Sequence, residues 1–228
     1  LKFLAYSSPV KLITYVNKEM RNYFEKKLKF PHSKGNILYN ASNLKISKKA
    51  NNHKIVIGFV GRLIPLKRVE YLIEMAYSLT FSGMPEFEIW VVGDGTHKKT
   101  LEKQARDFKV GKNVKFKGFH IDVLPFYETF DIFILPSEEE CLSLALIDAG
   151  LAGIPSIAFD VGGNNEIIIN EKSGYIVNTK QELIEKTKIL MSSEEKRKLM
   201  GSKAKSHCEK RFSPESHSFE FKKLYQKL

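Results

Sequence analysis

The chain has 228 residues, 43% of them hydrophobic and 28% charged, enough to bury a substantial core in one large domain or in one domain and a fragment. It contains no apolar run of about 18 residues or more and no signal-peptide succession at its start, and its two cysteines, Cys141 and Cys208, lie far apart without a CxxC spacing. A membrane span, a disulfide framework and a zinc site are therefore not expected, and a reducing cytoplasm fits. The net charge of +11 favours anionic partners. Its lysines are scattered through 45–54, 98–117 and 196–227 without interleaved aromatics, so a solvated basic surface is the plain reading, an anionic membrane face the next and nucleic acid the last.

In chain order, 11–16 is a short β-branched and aromatic run, 18–29 a charged amphipathic helix, and 36–39 a second short strand. Residues 41–53, rich in Asn, Ser and Lys, read as a linker. The first residue is Leu, and an upstream segment is expected to be missing. After the linker the pattern becomes regular. Ile55–Val60 is a nearly continuous apolar strand, and Val69, Leu72, Ile73, Ala76 and Leu79 lie at helical spacing within 68–82. A strand at 88–92, a basic helix at 97–108, a strand at 114–117, a helix at 123–130 and a strand at 132–135 follow. The alternation repeats with 156–159, 164–170 and 174–177, and helices at 180–191, 194–211 and 214–227 close the chain. Ser213-Pro214 starts the last of these with a capping hydroxyl and a first-turn proline. Strands alternating with helices at this spacing predict an α/β fold with a parallel sheet covered on both faces, whose ligands bind beyond the carboxyl ends of the strands.

Three strand-end loops carry candidate chemistry. Gly61-Arg62-Leu63-Ile64-Pro65-Leu66-Lys67 offers a guanidinium fork and an ammonium across a proline turn, suited to one diphosphate, although a solvated basic loop is the commoner meaning of such a stretch. Gly93-Asp94-Gly95 alone is a turn after a strand, and Gly162-Gly163 permits close backbone approach to a ligand. His120 has no second histidine at a ligand spacing and reads as a loop residue.

The chain centres on 135–148, LPSEEECLSLALID, where a strand meets three glutamates and then a helix start, a place that offers unpaired N–H groups to phosphate. Glu140 and Asp148 are eight residues apart, which a helical rise of about 1.5 Å per residue would convert to roughly 12 Å. An extended sugar–diphosphate–ribose has a comparable length, so one acid would reach the sugar and the other the ribose.

In order, G-R-L-x-P-x-K (61–67), V-V-G-D-G (91–95), P-S-x-x-E-x7-D (136–148), G-I-P (153–155) and G-G-N-N-E-I-I (162–168) resemble the nucleotide-sugar-binding half of a GT-B retaining glycosyltransferase of the family 4 type. The resemblance runs from about Val56 to Val177, and the F-S-P…L-Y stretch (212–225) is similar to the family's last helix. It implies a Rossmann-like doubly wound parallel sheet, the C-terminal half of a GT-B fold. It also implies three parts: 1–40 as a remnant of an N-terminal acceptor domain and linker, 41–211 as the donor domain, and 212–228 as the closing helix.

The same resemblance implies that Arg62 and Lys67 bind the donor diphosphate with help from the amides of Ser143 and Leu144. Glu140 matches the first acid of the family's E-x7-E motif, near the reacting carbon, and Asp148 the second, on the ribose. Gly93 belongs to the nucleotide site, and the backbone around Phe119 and His120 matches the loop against the nucleobase. The expected substrates are a nucleotide sugar, UDP- before GDP-linked, and a saccharide or lipid-linked acceptor of bacterial surface-polysaccharide or glycolipid synthesis. No cofactor and no metal are expected, nor is nucleic acid. The protein would be cytoplasmic, with peripheral contact at the inner face of the plasma membrane, and this fragment alone would turn over poorly.

Two departures stand out. The family's E-G-F-G-L is Glu140-Cys141-Leu142-Ser143-Leu144 here, without either glycine, and Asp148 is one C–C bond, about 1.5 Å, shorter than the usual glutamate. A GT-B nucleotide-sugar epimerase and a non-catalytic nucleotide-binding module are the alternatives. A dinucleotide dehydrogenase would want G-x-G-x-x-G after its first strand, which 58–67 does not provide.

Overall fold

The computed structural model describes residues 9–46, 50 and 53–227. The first eight residues of the expected N-terminal remnant, and 47–49, 51 and 52 of the expected linker, lie outside the described residues.

Six strands form one parallel sheet: β3 (Ile55–Val60), β4 (Phe87–Val92), β5 (Val114–Gly118), β6 (Ile132–Leu135), β7 (Ser156–Phe159) and β8 (Gly174–Val177). Their order is β5-β4-β3-β6-β7-β8: the sheet is parallel, as the alternating sequence pattern predicts, and doubly wound, as the family resemblance implies. The central strands are apolar on both faces because helices cover both: all four residues of β6 and the first five of β3 are buried. The order reverses direction between β3 and β6, which pair through Ile57 with Ile132 and Gly58 with Phe133. Beyond the carboxyl ends of these two strands the loops diverge from the switch point, the place where open parallel sheets bind their ligands.

Helices α2 (Glu70–Thr80), α3 (Lys98–Asp107), α4 (Leu124–Thr129), α5 (Leu144–Leu151) and α6 (Asn164–Ile167) connect the strands. α7 (Lys180–Met191), α8 (Glu194–Phe212) and α9 (Pro214–Tyr225) follow them. The side chains of Thr179, Ser193 and Ser213 cap the last three, each accepting from an amide three residues on. α5 turns Leu146, Ile147 and Ala149 inward, and its Gly150 lies so close to α8 that a Cβ there would overlap Sγ of Cys208. This close crossing fixes the direction in which the start of α5 points.

Ahead of the sheet, β1 (Ile13–Tyr15) and β2 (Gly35–Ile37) pair in parallel, apart from the six-stranded sheet. The single helix expected over 18–29 is α1 (Lys18–Asn22) followed by a π-helical stretch, Tyr23–Lys27. The helix expected over 164–170 is only α6, because Ile168 is already extended. Among the described residues no helix is long and apolar enough to cross a membrane.

Candidate functional site at the sheet switch point

The loops after β3 and β6 meet at the switch point and are tied to each other. Nζ of Lys67 donates to Oε1 of Glu140 at 2.6 Å, and both side chains are largely shielded from solvent. Arg68 reaches Oε2 of Glu138 at 2.6 Å, and the Glu138 amide donates to the Leu66 carbonyl at 2.9 Å. The sequence placed Lys67 and Glu140 in one site but missed the Arg68–Glu138 pair. Arg68 follows a 3₁₀ turn, Pro65–Lys67, and adopts φ +49°, a conformation that no residue-type signal announces. Of the three consecutive glutamates, two therefore face cations across the switch point, whereas no partner is recorded for Glu139 among the described residues.

Arg62 is exposed, and its guanidinium makes no ion pair or hydrogen bond among the described residues. Its loop is held from the other side. The Gly61 amide donates to Val92, Leu63 to Asp94 and His97 to Leu63, at 2.8–3.0 Å. Gly93, at φ +137°, lies where any Cβ would overlap the Gly61 carbonyl, and its amide donates to Gly118 at 2.7 Å. Only glycine lets the loops after β3, β4 and β5 approach this closely.

The helix start on the β6 side is capped on one side and, among the described residues, leaves amides unpaired on the other. Ser143 is the N-cap of α5, its hydroxyl accepting from the Leu146 amide at 3.4 Å. Leu144 opens the helix and is half exposed, and the amides of Leu144 and Ala145 meet no protein acceptor among the described residues. The 12 Å separation expected for Glu140 and Asp148 does not follow, because residues 140–143 are not helical and only the stretch from Leu144 onward has the helical rise.

The two acids have different surroundings. Asp148 is partly buried, and its Oδ1 has no hydrogen-bond partner among the described residues. Burial raises its pKa, a rise that the Ser42 side chain partly opposes. Tyr127 lies near it, with its phenol donating to the Ala145 carbonyl at 3.1 Å, and burial holds that phenol neutral. Phe119 and His120 sit exposed on the loop after β5, with His120 edge-on to Phe126 at 4.7 Å and its Nε2 3.0 Å from the Lys117 carbonyl.

Gly162, at φ +55°, approaches protein: its Cα packs on the Glu140 carbonyl so closely that a Cβ would overlap it. The Gly163 amide donates to the Cys141 carbonyl at 2.8 Å. A concavity of about 820 Å3 at the opposite end of the sheet, lined by Lys54, Glu86, Asp131 and Arg197, lies away from these loops at the amino ends of the strands. Among the described residues no group of three His, Cys, Asp or Glu side chains is placed to hold a metal ion.

Residues 41–207 match the family model described as "Glycosyl transferases group 1". Among curated relatives, the chain is 27% identical over 164 residues to the poly(ribitol-phosphate) alpha-N-acetylglucosaminyltransferase of Staphylococcus aureus, covering 71% of this chain and 33% of that protein. It is 31% identical over 127 residues to the UDP-Gal:alpha-D-GlcNAc-diphosphoundecaprenol alpha-1,3-galactosyltransferase of Escherichia coli, covering 55% of this chain and 33% of that protein. The chain thus spans a third of the length of both relatives. In fold it is similar to Anabaena Alr3699/HepE, solved in complex with UDP, with a TM-score of 0.87 at 20% identity over 96% of this chain and 64% of that one. The sheet with its flanking helices is the Rossmann-like architecture of a GT-B domain. With the model matched across most of its length, this chain belongs to the family of group 1 glycosyl transferases.

Proposed function

We propose that the chain is the donor-binding half of a retaining glycosyltransferase of the family 4 type. It moves a sugar from a nucleotide diphosphate, UDP before GDP, to a hydroxyl of a saccharide or lipid-linked acceptor in bacterial surface-polysaccharide or glycolipid synthesis. The observation that carries this reading is the juxtaposition of Lys67 and Glu140 across the switch point. A lysine and an acid drawn from two different loops meet where a donor's phosphate and sugar join.

In this reading Lys67, the unpaired Arg62 and the free amides at the start of α5 offset the charge that develops on the departing diphosphate, so no metal ion is called upon. The bond from the anomeric carbon to phosphate breaks with its electron pair going to the phosphate. The acceptor oxygen then bonds to the same face and passes its proton to the departing phosphate oxygen. Glu140 favours the positive charge on the anomeric carbon between these events, as carboxylates do in glycoside hydrolysis. Gly93 and the backbone at Phe119 and His120 border the nucleotide, and Asp148 serves the ribose.

The Escherichia coli relative is named for a UDP-linked galactose and a diphosphoundecaprenol-linked acceptor, which supports a UDP donor and a lipid-linked acceptor. The charge of +11 supports peripheral contact with an anionic inner membrane face in the cytoplasm. A thermal-shift screen of UDP-, GDP- and ADP-sugars tests the donor, since a ligand that binds only the folded state raises Tm. A UDP-sugar is expected to give the largest rise, and no rise with any nucleotide sugar would overturn the reading.

A further inference from the structure

The segment ahead of the sheet reaches into the site. Asn17 is 2% exposed and works in two directions. Its Oδ1 caps α1, accepting from the Met20 amide at 2.6 Å, while its Nδ2 donates to the carbonyl of Cys141, 124 residues away. That carbonyl also accepts from Gly163, and the preceding carbonyl, of Glu140, is packed against Gly162. The next residue repeats the connection: the Lys18 amide donates to Oε1 of Glu166 at 2.7 Å, on the short helix that follows the two glycines. The Cys141 carbonyl is thus held by Gly163 on one side and by Asn17 on the other, while Gly162 packs on the Glu140 carbonyl before it. Ser, Thr and Asp cap helices as well as Asn does, but only the amide offers a carbonyl acceptor together with separate N–H donors.

We infer that Asn17 is a positioning residue for Glu140, so that the segment before the sheet sets how the donor's sugar is held while the nucleotide is gripped elsewhere. The inference rests on the donor-binding reading given above. Asn17→Ser keeps the helix cap and removes the donor to Cys141. Asn17→Asp keeps cap and shape, sets a carboxylate against the carbonyl, and serves if the serine variant folds poorly.

Two measurements on this chain bear on the inference, and the first decides it. The first is the ratio of affinities for UDP and for whichever of UDP-glucose, UDP-galactose and UDP-N-acetylglucosamine shifts Tm most. UDP affinity is expected to stay within about twofold, whereas the added affinity for the sugar falls about tenfold, the size of one lost hydrogen bond to a charged site. The second is the alkylation rate of Cys141 by iodoacetamide without ligand, which is expected to rise several-fold once the loop is released. Cys208 is the silent reference, being buried with its thiol pushed up to about 12 by burial. A wild-type chain that binds no nucleotide overturns the donor-binding reading and this inference with it. Wild-type binding with an unchanged ratio in both variants overturns this inference alone, whether or not Cys141 reacts faster, because Asn17 would then be only a tie in the fold.

Discussion

Glu140 and Asp148 lie eight residues apart on one stretch of chain, yet the fold gives them opposite circumstances. Glu140 stands on a loop whose backbone is clamped by two glycines and an asparagine, and its carboxylate meets a lysine ammonium. Asp148 sits on a helix against the linker, with one oxygen unpartnered and burial working against its charge. The lesson is that a carboxylate's role follows from what its neighbours do to its charge. Glu140 is held in place by a cation that a diphosphate would also attract. Asp148 carries an unmet demand for hydrogen bonds, which a ribose hydroxyl is chemically suited to supply.

The comparison breaks most visibly on the cation side. Arg62→Ala and Lys67→Ala are each expected to weaken UDP binding by about 10- to 100-fold in calorimetry, the loss of a charge-assisted contact of roughly 1.5–3 kcal/mol. Lys67→Ala has the further effect of leaving Glu140 shielded without its ammonium partner, so its Tm should fall more than that of Arg62→Ala. Unchanged affinity in both variants would count decisively against the site.

Next in size is the clamp. Gly162→Ala forces a Cβ onto the Glu140 carbonyl at a positive φ, and the obstacle is backbone that cannot swing away. A loss of about 2 kcal/mol, or roughly 4–8 °C in Tm for a domain of this size, is expected in thermal unfolding. A Tm equal to wild type would show that the two loops are not in register as described.

Asp148→Asn sharpens the contrast through pH. The folded-state pKa is raised by burial, so the folded chain holds this proton more tightly than the unfolded one. Stability is therefore lost as pH rises through the interval from the ordinary aspartate range up to the raised value, and the whole penalty is present above it. Asparagine has no charge to bury and so removes the penalty. The variant is expected to melt higher than wild type at neutral pH, with the gain fading below the ordinary carboxylate range, and to bind UDP more weakly. A gain that persists unchanged in acid would contradict the assigned cause. The smallest effect is at Cys141, which is exposed beside Glu140: a bound nucleotide sugar should slow its alkylation, whereas UDP alone should slow it less.

Much of this was legible in the sequence because the signals were local. The apolar run of β3, the spacing of Leu72, Ile73, Ala76 and Leu79, and the Ser213-Pro214 start are each decided by a few neighbouring residues. Lys67 and Glu140 were legible as one site because ligands in a parallel sheet gather where the strands end. The bond from Asn17 to Cys141 was not, since the signal visible at residue 17 is that of a helix cap, and the second use of its side chain depends on a partner 124 positions on. Nor was the burial of Glu166, which in the sequence is an ordinary first-turn acid and in the structure is 8% exposed. Asp148 shows a third kind of miss. The spacing was read as helical throughout, whereas the four residues from 140 to 143 take a path dictated by contacts with Gly162 and Lys67.

Glu166 has a practical bearing on anyone who wishes to excise or transplant this domain. Its carboxylate accepts from the Lys18 amide and from the Tyr39 phenol at 2.6–2.7 Å, and Arg211 in turn donates to that phenol at 2.6 Å. Scissors applied at residue 41, where the family match begins, would remove both donors and leave the acid and Arg211 without the tyrosine that joins them. A portable unit would have to keep Asn17 through Tyr39 with the sheet, even though those residues precede its first strand.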